Sequence, residues 1–181
     1  MLGTFAHPQG GTIDALGFGA TSYGATLFTL NHNTNRVSLL NPTTGALLAT
    51  YVVTRDLIGG MDFHAGRNSL FVSGAGNTVY ELNPTSGAVL GSFHIGDSNA
   101  SFQVGVGIVE GRLFTAPQDI ATISERDLAT GAIINSFASP GGSVSALAGA
   151  YVPEPSSCML ATIGSIATLA RWRKRGVETL A

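Results

Sequence analysis

Residues 79–93 read VYELNPTSGAVLGSF, and the same pattern stands at 37–51 as VSLLNPTTGALLATY and at 123–137 as ISERDLATGAIINSF. In all three, a glycine (Gly45, Gly87, Gly131) falls eight positions after the first residue. Asn41-Pro42 and Asn83-Pro84 put proline at a corner that wants φ near −65°, and the glycine four residues after each asparagine supplies the positive φ that returns the chain to a strand. Asp127-Leu128 is a copy without proline. The flanks are rich in β-branched and aromatic residues and too short for helices, so each copy predicts a β-hairpin.

Working outward, Leu27-Phe28, Leu70-Phe71 and Leu113-Phe114 precede the hairpins at intervals of 43 residues and predict one further strand per unit. Segments around 13–18, 58–63 and 104–108 predict another. Four short strands every ~43 residues is the period of a β-propeller blade. The expected fold is therefore all-β: a partial, propeller-like array of about three four-stranded blades within residues 1–150, with units near 12–54, 55–97 and 98–141. In the last strand of the second unit, Ala88, Leu90 and Ser92 alternate with Val89, Gly91 and Phe93, so neither face is strongly polar. Both faces are expected to be covered by neighbouring blades.

Closed propellers usually have four to eight blades, so three units do not close a ring. FAHPQGGTIDALGFG from Phe5 resembles FASPGGSVSALAG from Phe137, as if a circle had been cut. With no basic and apolar leader at Met1, this leads us to expect missing N-terminal blades and a missing signal peptide; an open arc and an assembly of several chains are the alternatives. The motif LF…V..LNPTSGA also resembles the blades of YVTN-like and quinoprotein-like propellers.

The last thirty residues differ in kind. Val152, Pro153, Glu154 and Pro155 form a strip in which two prolines fix φ and remove two donors, so it is expected to be an extended linker. Residues 156–170 contain no charge and no polar face at helical period, and predict one apolar helix. Fifteen residues at 1.5 Å reach about 22 Å, short of a ~30 Å hydrocarbon core, so crossing needs the flanks. Arg171, Trp172, Arg173, Lys174 and Arg175 follow; the indole suits the interface, and the positive charges place this end in the cytoplasm. A core helix of a soluble protein is the other reading of 156–170.

This order resembles the PEP-CTERM sorting signal of exported bacterial proteins, also known as an ice-binding protein C-terminal domain. VPEPSS at 152–157 and RWRKR at 171–175 carry the resemblance. It implies that residues 151–181 are a sorting and anchoring segment. Val152, Pro153, Glu154 and Pro155 would be read by a membrane-embedded exosortase-type enzyme, and the body would sit at the bacterial cell envelope. Cys158, Thr162, Ser165 and Thr168 make the apolar run more polar than the family's usual one.

Charge is sparse. Residues 1–170 carry five basic and ten acidic side chains, whereas 171–181 carries four basic and one acidic. An acidic body without a basic stripe argues against nucleic acid as a partner and leaves a membrane and an unknown surface ligand. A single cysteine, Cys158, excludes an internal disulfide or a Cys-rich metal site. His7, His32, His64 and His94 show no paired ligand spacing, and no nucleophile elbow or phosphate loop occurs, so neither metal nor cofactor is expected. Asp62-Phe63-His64, at the end of an inner strand, is the most suggestive local cluster, and Asp14 is expected in a comparable place. The run 31–35 (NHNTN) could hold a cation or sugar but reads first as a turn. Together these features describe a non-enzymatic binding or scaffold body. The alternative is a fragment of a propeller enzyme (hydrolase, lyase or quinoprotein-like) with its site at the channel mouth, which polar side chains from several repeats meeting at one end would favour.

Overall fold

The computed structural model describes residues 4–95, 104–118, 120–142, 144 and 147. The chain divides into two units, Met1–Ala150 and Tyr151–Ala181. The linker at Val152–Pro155, the apolar run with Cys158 and the basic cluster Arg171–Arg175 lie outside the described residues. Among the described residues no helix is long and apolar enough to cross a membrane.

Among the described residues, three antiparallel sheets of four strands follow one another. The first blade holds β1 (Ala15–Thr21), β2 (Gly24–Asn31), β3 (Arg36–Leu40) and β4 (Leu47–Val52). The second holds β5 (Leu57–His64), β6 (Ser69–Gly74), β7 (Thr78–Leu82) and β8 (Val89–His94). The third holds β9 (Val104–Val109), β10 (Arg112–Pro117), β11 (Thr122–Arg126) and β12 (Ile133–Ala138). The described strands pair only with their described neighbours in sequence, so each of these blades is a meander. The inner strands β1, β5 and β9 pack side by side and stack the three sheets. Strand periods and hairpins thus stand where the repeats place them.

The three hairpins between third and fourth strands are built alike down to single atoms. Asn41 Oδ1 accepts from the backbone N–H groups of Thr43 and Thr44 (2.9 and 3.0 Å). Asn83 Oδ1 accepts likewise from Thr85 and Ser86 (both 3.0 Å), and Asp127 Oδ1 from Ala129 and Thr130 (3.0 and 2.8 Å). Each turn closes with the glycine N–H donating to the carbonyl of that Asn or Asp, and Gly45, Gly87 and Gly131 hold φ of 71°, 72° and 72°. An irregularity in register precedes each turn, at Leu39/Leu40, Glu81/Leu82 and Glu125/Arg126. Asp is the charged version of the same acceptor. The Thr130 hydroxyl first, then the Thr130 and Ala129 amides, hold the Asp127 carboxyl below its ordinary 3.8. A depressed carboxylate adds stability above the ordinary value and loses it as pH falls through the lowered one. Asp127→Asn is therefore expected to be tolerated at neutral pH and to remove that acid-side component, read from urea midpoints between pH 5 and the onset of acid unfolding.

Core lies between blades rather than within them. Phe28, Leu30, Val37 and Leu39 of the first blade meet Met61, Phe63, Leu70, Val72 and Leu82 of the second. Phe71, Val79 and Ile95 of the second meet Val106, Ile108 and Leu113 of the third. Phe28 and Phe63 stack with centroids 5.8 Å apart, and the absence of a side chain at Gly19 makes room for the Phe63 ring. The fourth strands depart from expectation. Leu90 of β8 is 57% exposed and Val89 39%, and β4 and β12 are likewise open. Fourth strands lie farthest from the stacked inner strands, and twisted sheets that meet at the inner strands splay apart towards the outside. Neighbouring blades therefore do not cover both faces there.

Candidate functional site: a polar cleft on the first blade

The residues singled out in the second blade are structural ties. Asp62 Oδ1 accepts from the Phe63 N–H at 2.8 Å, and Oδ2 accepts from the Ile108 N–H at 2.7 Å, which fastens β5 to β9. His64 Nδ1 accepts from the Arg67 N–H at 3.0 Å, so Nε2 carries the proton that goes to the Gly111 carbonyl at 3.1 Å. Both side chains join the second blade to the third. Arg67 grips Glu81 with two bonds of 2.8 and 2.9 Å. Burial alone would raise the Glu81 carboxyl, but the two bonds from Arg67 and its positive charge outweigh it and hold the carboxyl below its ordinary value.

Asp14 does not share the position of Asp62. It precedes β1, whereas Asp62 lies beside Gly17, within β1's own span. Asp14 Oδ2 accepts from the His32 N–H at 2.9 Å and lies 2.8 Å from His32 Nδ1. It thereby seats the run 31–35, which forms a short 3-10 turn (His32–Thr34) ending in Asn35 at φ 49°. The turn reading of that run holds. No group of three or more His, Cys, Asp or Glu among the described residues could hold a metal ion.

Next to that turn is a cleft of about 460 Å³, walled by residues 7–13 on one side and β2, β3 and the 31–34 turn on the other. His7 Nε2 is 2.9 Å from Thr29 Oγ1, and Ser38 Oγ donates to Gln9 Oε1 at 3.0 Å. His7 Nδ1 is buried and has no hydrogen-bond partner among the described residues. Gly11 approaches so closely that a Cβ there would lie 2.8 Å from Asn31 Nδ2. Arg36 supplies a cation to the lining, and among the described residues no carboxylate lines it. One blade and the segment before it build the cleft, so it is not a meeting point of several repeats.

The cleft was not read from the sequence, although a signal existed. Strand registers place Thr29 where the second blade has Val72, and Ser38 where it has Tyr80. Polar residues at positions that are apolar in a sister repeat mark a face that meets something other than a blade.

Stacked four-stranded meanders with their inner strands side by side define a propeller-like body. A solved structure similar to it bears this out at the level of fold. The crystal structure of Myxococcus xanthus glutaminyl cyclase matches with a TM-score of 0.57 at 16% identity, over 79% of this chain and 63% of that one. The crystal structure of BamB from Moraxella catarrhalis matches with a TM-score of 0.48 at 17% identity, over 68% of this chain and 37% of that one. This chain thus spans less than two thirds of the length of either. No protein-family model matches the sequence, and no curated protein is significantly similar to it.

Proposed function

We propose that this is an exported bacterial cell-envelope protein with a non-enzymatic binding or scaffold body, sorted by its C-terminal segment. The observation that carries the binding reading is the cleft: hydroxyls of Thr29, Thr34 and Ser38, amides of Gln9 and Asn31, the imidazole of His7 and the guanidinium of Arg36. Such a lining suits a polyhydroxylated ligand, neutral or anionic, of the kind envelope polysaccharides present. In the tail, Val152, Pro153, Glu154 and Pro155 serve as the recognition strip of an exosortase-type enzyme. Residues 156–170 hold the membrane, and Arg171, Trp172, Arg173, Lys174 and Arg175 fix the cytoplasmic end before processing.

The test is co-expression of the full chain, behind an export signal, with an exosortase-type enzyme in a bacterial host. Intact mass is expected to show loss of the tail and the body to leave the membrane fraction. Pro153→Ala/Pro155→Ala is expected to block both changes. A chain that stays soluble and uncut in the presence of the enzyme overturns the sorting reading.

A further inference from the structure

Two faces of the body are the two halves of a junction that the chain already makes twice. Where the second blade docks on the first, it presents Met61 and Phe63 from β5, 2% and 8% exposed. Where the third docks on the second, Val106 and Ile108 of β9 do the same, 0% and 8% exposed. Strand pairing fixes the equivalents in the first blade. Phe18, Phe63 and Ile108 stand opposite Leu27, Leu70 and Leu113, and Leu16, Met61 and Val106 opposite Thr29, Val72 and Thr115. Yet Leu16 and Phe18 are 57% and 59% exposed.

The receiving half repeats just as regularly. Phe28, Val37 and Tyr51 receive the second blade, and Phe71, Val79 and Phe93 the third. Tyr51 and Phe93 pack on the turn glycine of the blade they receive, Gly87 and Gly131, so closely that a Cβ on either would overlap the ring. In the third blade the equivalents are Phe114, Ile123 and Phe137. Phe137 meets Phe114 edge-on at 6.5 Å and is 46% exposed.

We propose that copies of this chain associate head to tail, the third blade of one receiving the first blade of the next through the same contacts that join blades inside the chain. The interface is heterologous, and it closes a ring if the rotation per blade allows. The seat for the partner's Phe137 is Gly45, which Phe5 covers within the chain. Phe5-Ala6-His7-Pro8 and Phe137-Ala138-Ser139-Pro140 share a pattern, so the N-terminal segment stands in for the partner and yields to it. Assembly therefore competes with the cleft, which that segment walls; failure of the assembly test leaves the binding reading intact.

The full chain in mild detergent is measured by sedimentation velocity across a wide concentration range. Concentration-dependent oligomers are expected. Phe18→Asp and Phe137→Asp, both at exposed positions and so expected to keep the melting curve that the wild type shows when dilute enough to be monomeric, should each raise the dissociation constant at least about 30-fold. An equimolar mixture of the two variants should form a dimer and stop there, since one intact pair of faces remains. A monomer at all concentrations overturns the proposal, as do oligomers that survive both substitutions, which would place association in the tail. A mixture that fails to dimerise also overturns it.

Discussion

Gly87→Ala is expected to destabilise the body by about 3 kcal/mol, whereas Gly76→Ala costs only about 1 kcal/mol. The two glycines have nearly the same backbone, φ 72° and 66°. The left-handed region costs an L-residue about 1–2 kcal/mol, and this applies to both. They differ in what a methyl group would meet. Nothing lies within 4 Å of a Cβ on Gly76, whereas a Cβ on Gly87 would overlap the Tyr51 ring. Tyr51 cannot easily move aside: it packs against the core between the first two blades, burial raises its phenol well above the ordinary value, and its hydroxyl donates to the Pro84 carbonyl at 3.4 Å. Urea midpoints of the two variants, and of Gly87→Ala combined with Tyr51→Ala, measure the contact. The double variant should lose less than the two single losses added together, because the methyl no longer has a ring to displace. Equal losses at Gly76 and Gly87 would leave only the backbone effect and remove the ring-on-glycine contact from the account of how blades join.

Arg126→Ala is expected to cost about 3 kcal/mol, because it empties a buried site and leaves the neutral acceptors of the guanidinium unpaired. Arg126 is 3% exposed; its Nε donates to Thr115 Oγ1 at 2.6 Å and its Nη1 to the Gly131 carbonyl at 2.9 Å. It thus ties the middle of the third blade to the third hairpin. The sister repeats solve the same position without polarity. Arg126 stands opposite Leu113 as Leu82 stands opposite Leu70, and Thr115 corresponds to Val72. Arg126→Leu alone should cost about 2 kcal/mol, because it leaves buried acceptors without their donor. Adding Thr115→Val recreates the second blade's apolar pair and should recover most of that loss, since well-packed apolar groups commonly replace a buried polar network at little cost. A double-mutant cycle by urea unfolding gives the coupling, expected at about 1–2 kcal/mol. If Thr115→Val adds to the damage, the blades are not interchangeable at this position.

Much of the fold can be read from local chemistry. Asn41, Asn83 and Asp127 each accept from the amides two and three positions on in their own turn, and such short-range bonds need only the residues nearby. The 43-residue spacing of Leu-Phe pairs marks β2, β6 and β10 for a similar reason, because a repeated unit repeats its strands. The polar cleft was harder to see. Thr29 and Ser38 look like ordinary strand residues until pairing shows that their counterparts are Val72 and Tyr80. Asp62 and His64 invite a catalytic reading as a dipeptide neighbourhood, and only their partners, the Ile108 amide and the Gly111 carbonyl some 46 and 47 residues away, show them to be ties between blades.

Strand number, hairpin positions and blade period were settled by the sequence alone, because turns and pleats are decided by interactions within a few residues. Which apolar side chains become core was decided by tertiary structure. Phe18 and Phe63 have equivalent places in equivalent strands, yet one is 59% exposed and the other 8%. The difference is whether another blade stands in front of them, and burial depends on what arrives from elsewhere in the chain or from another molecule.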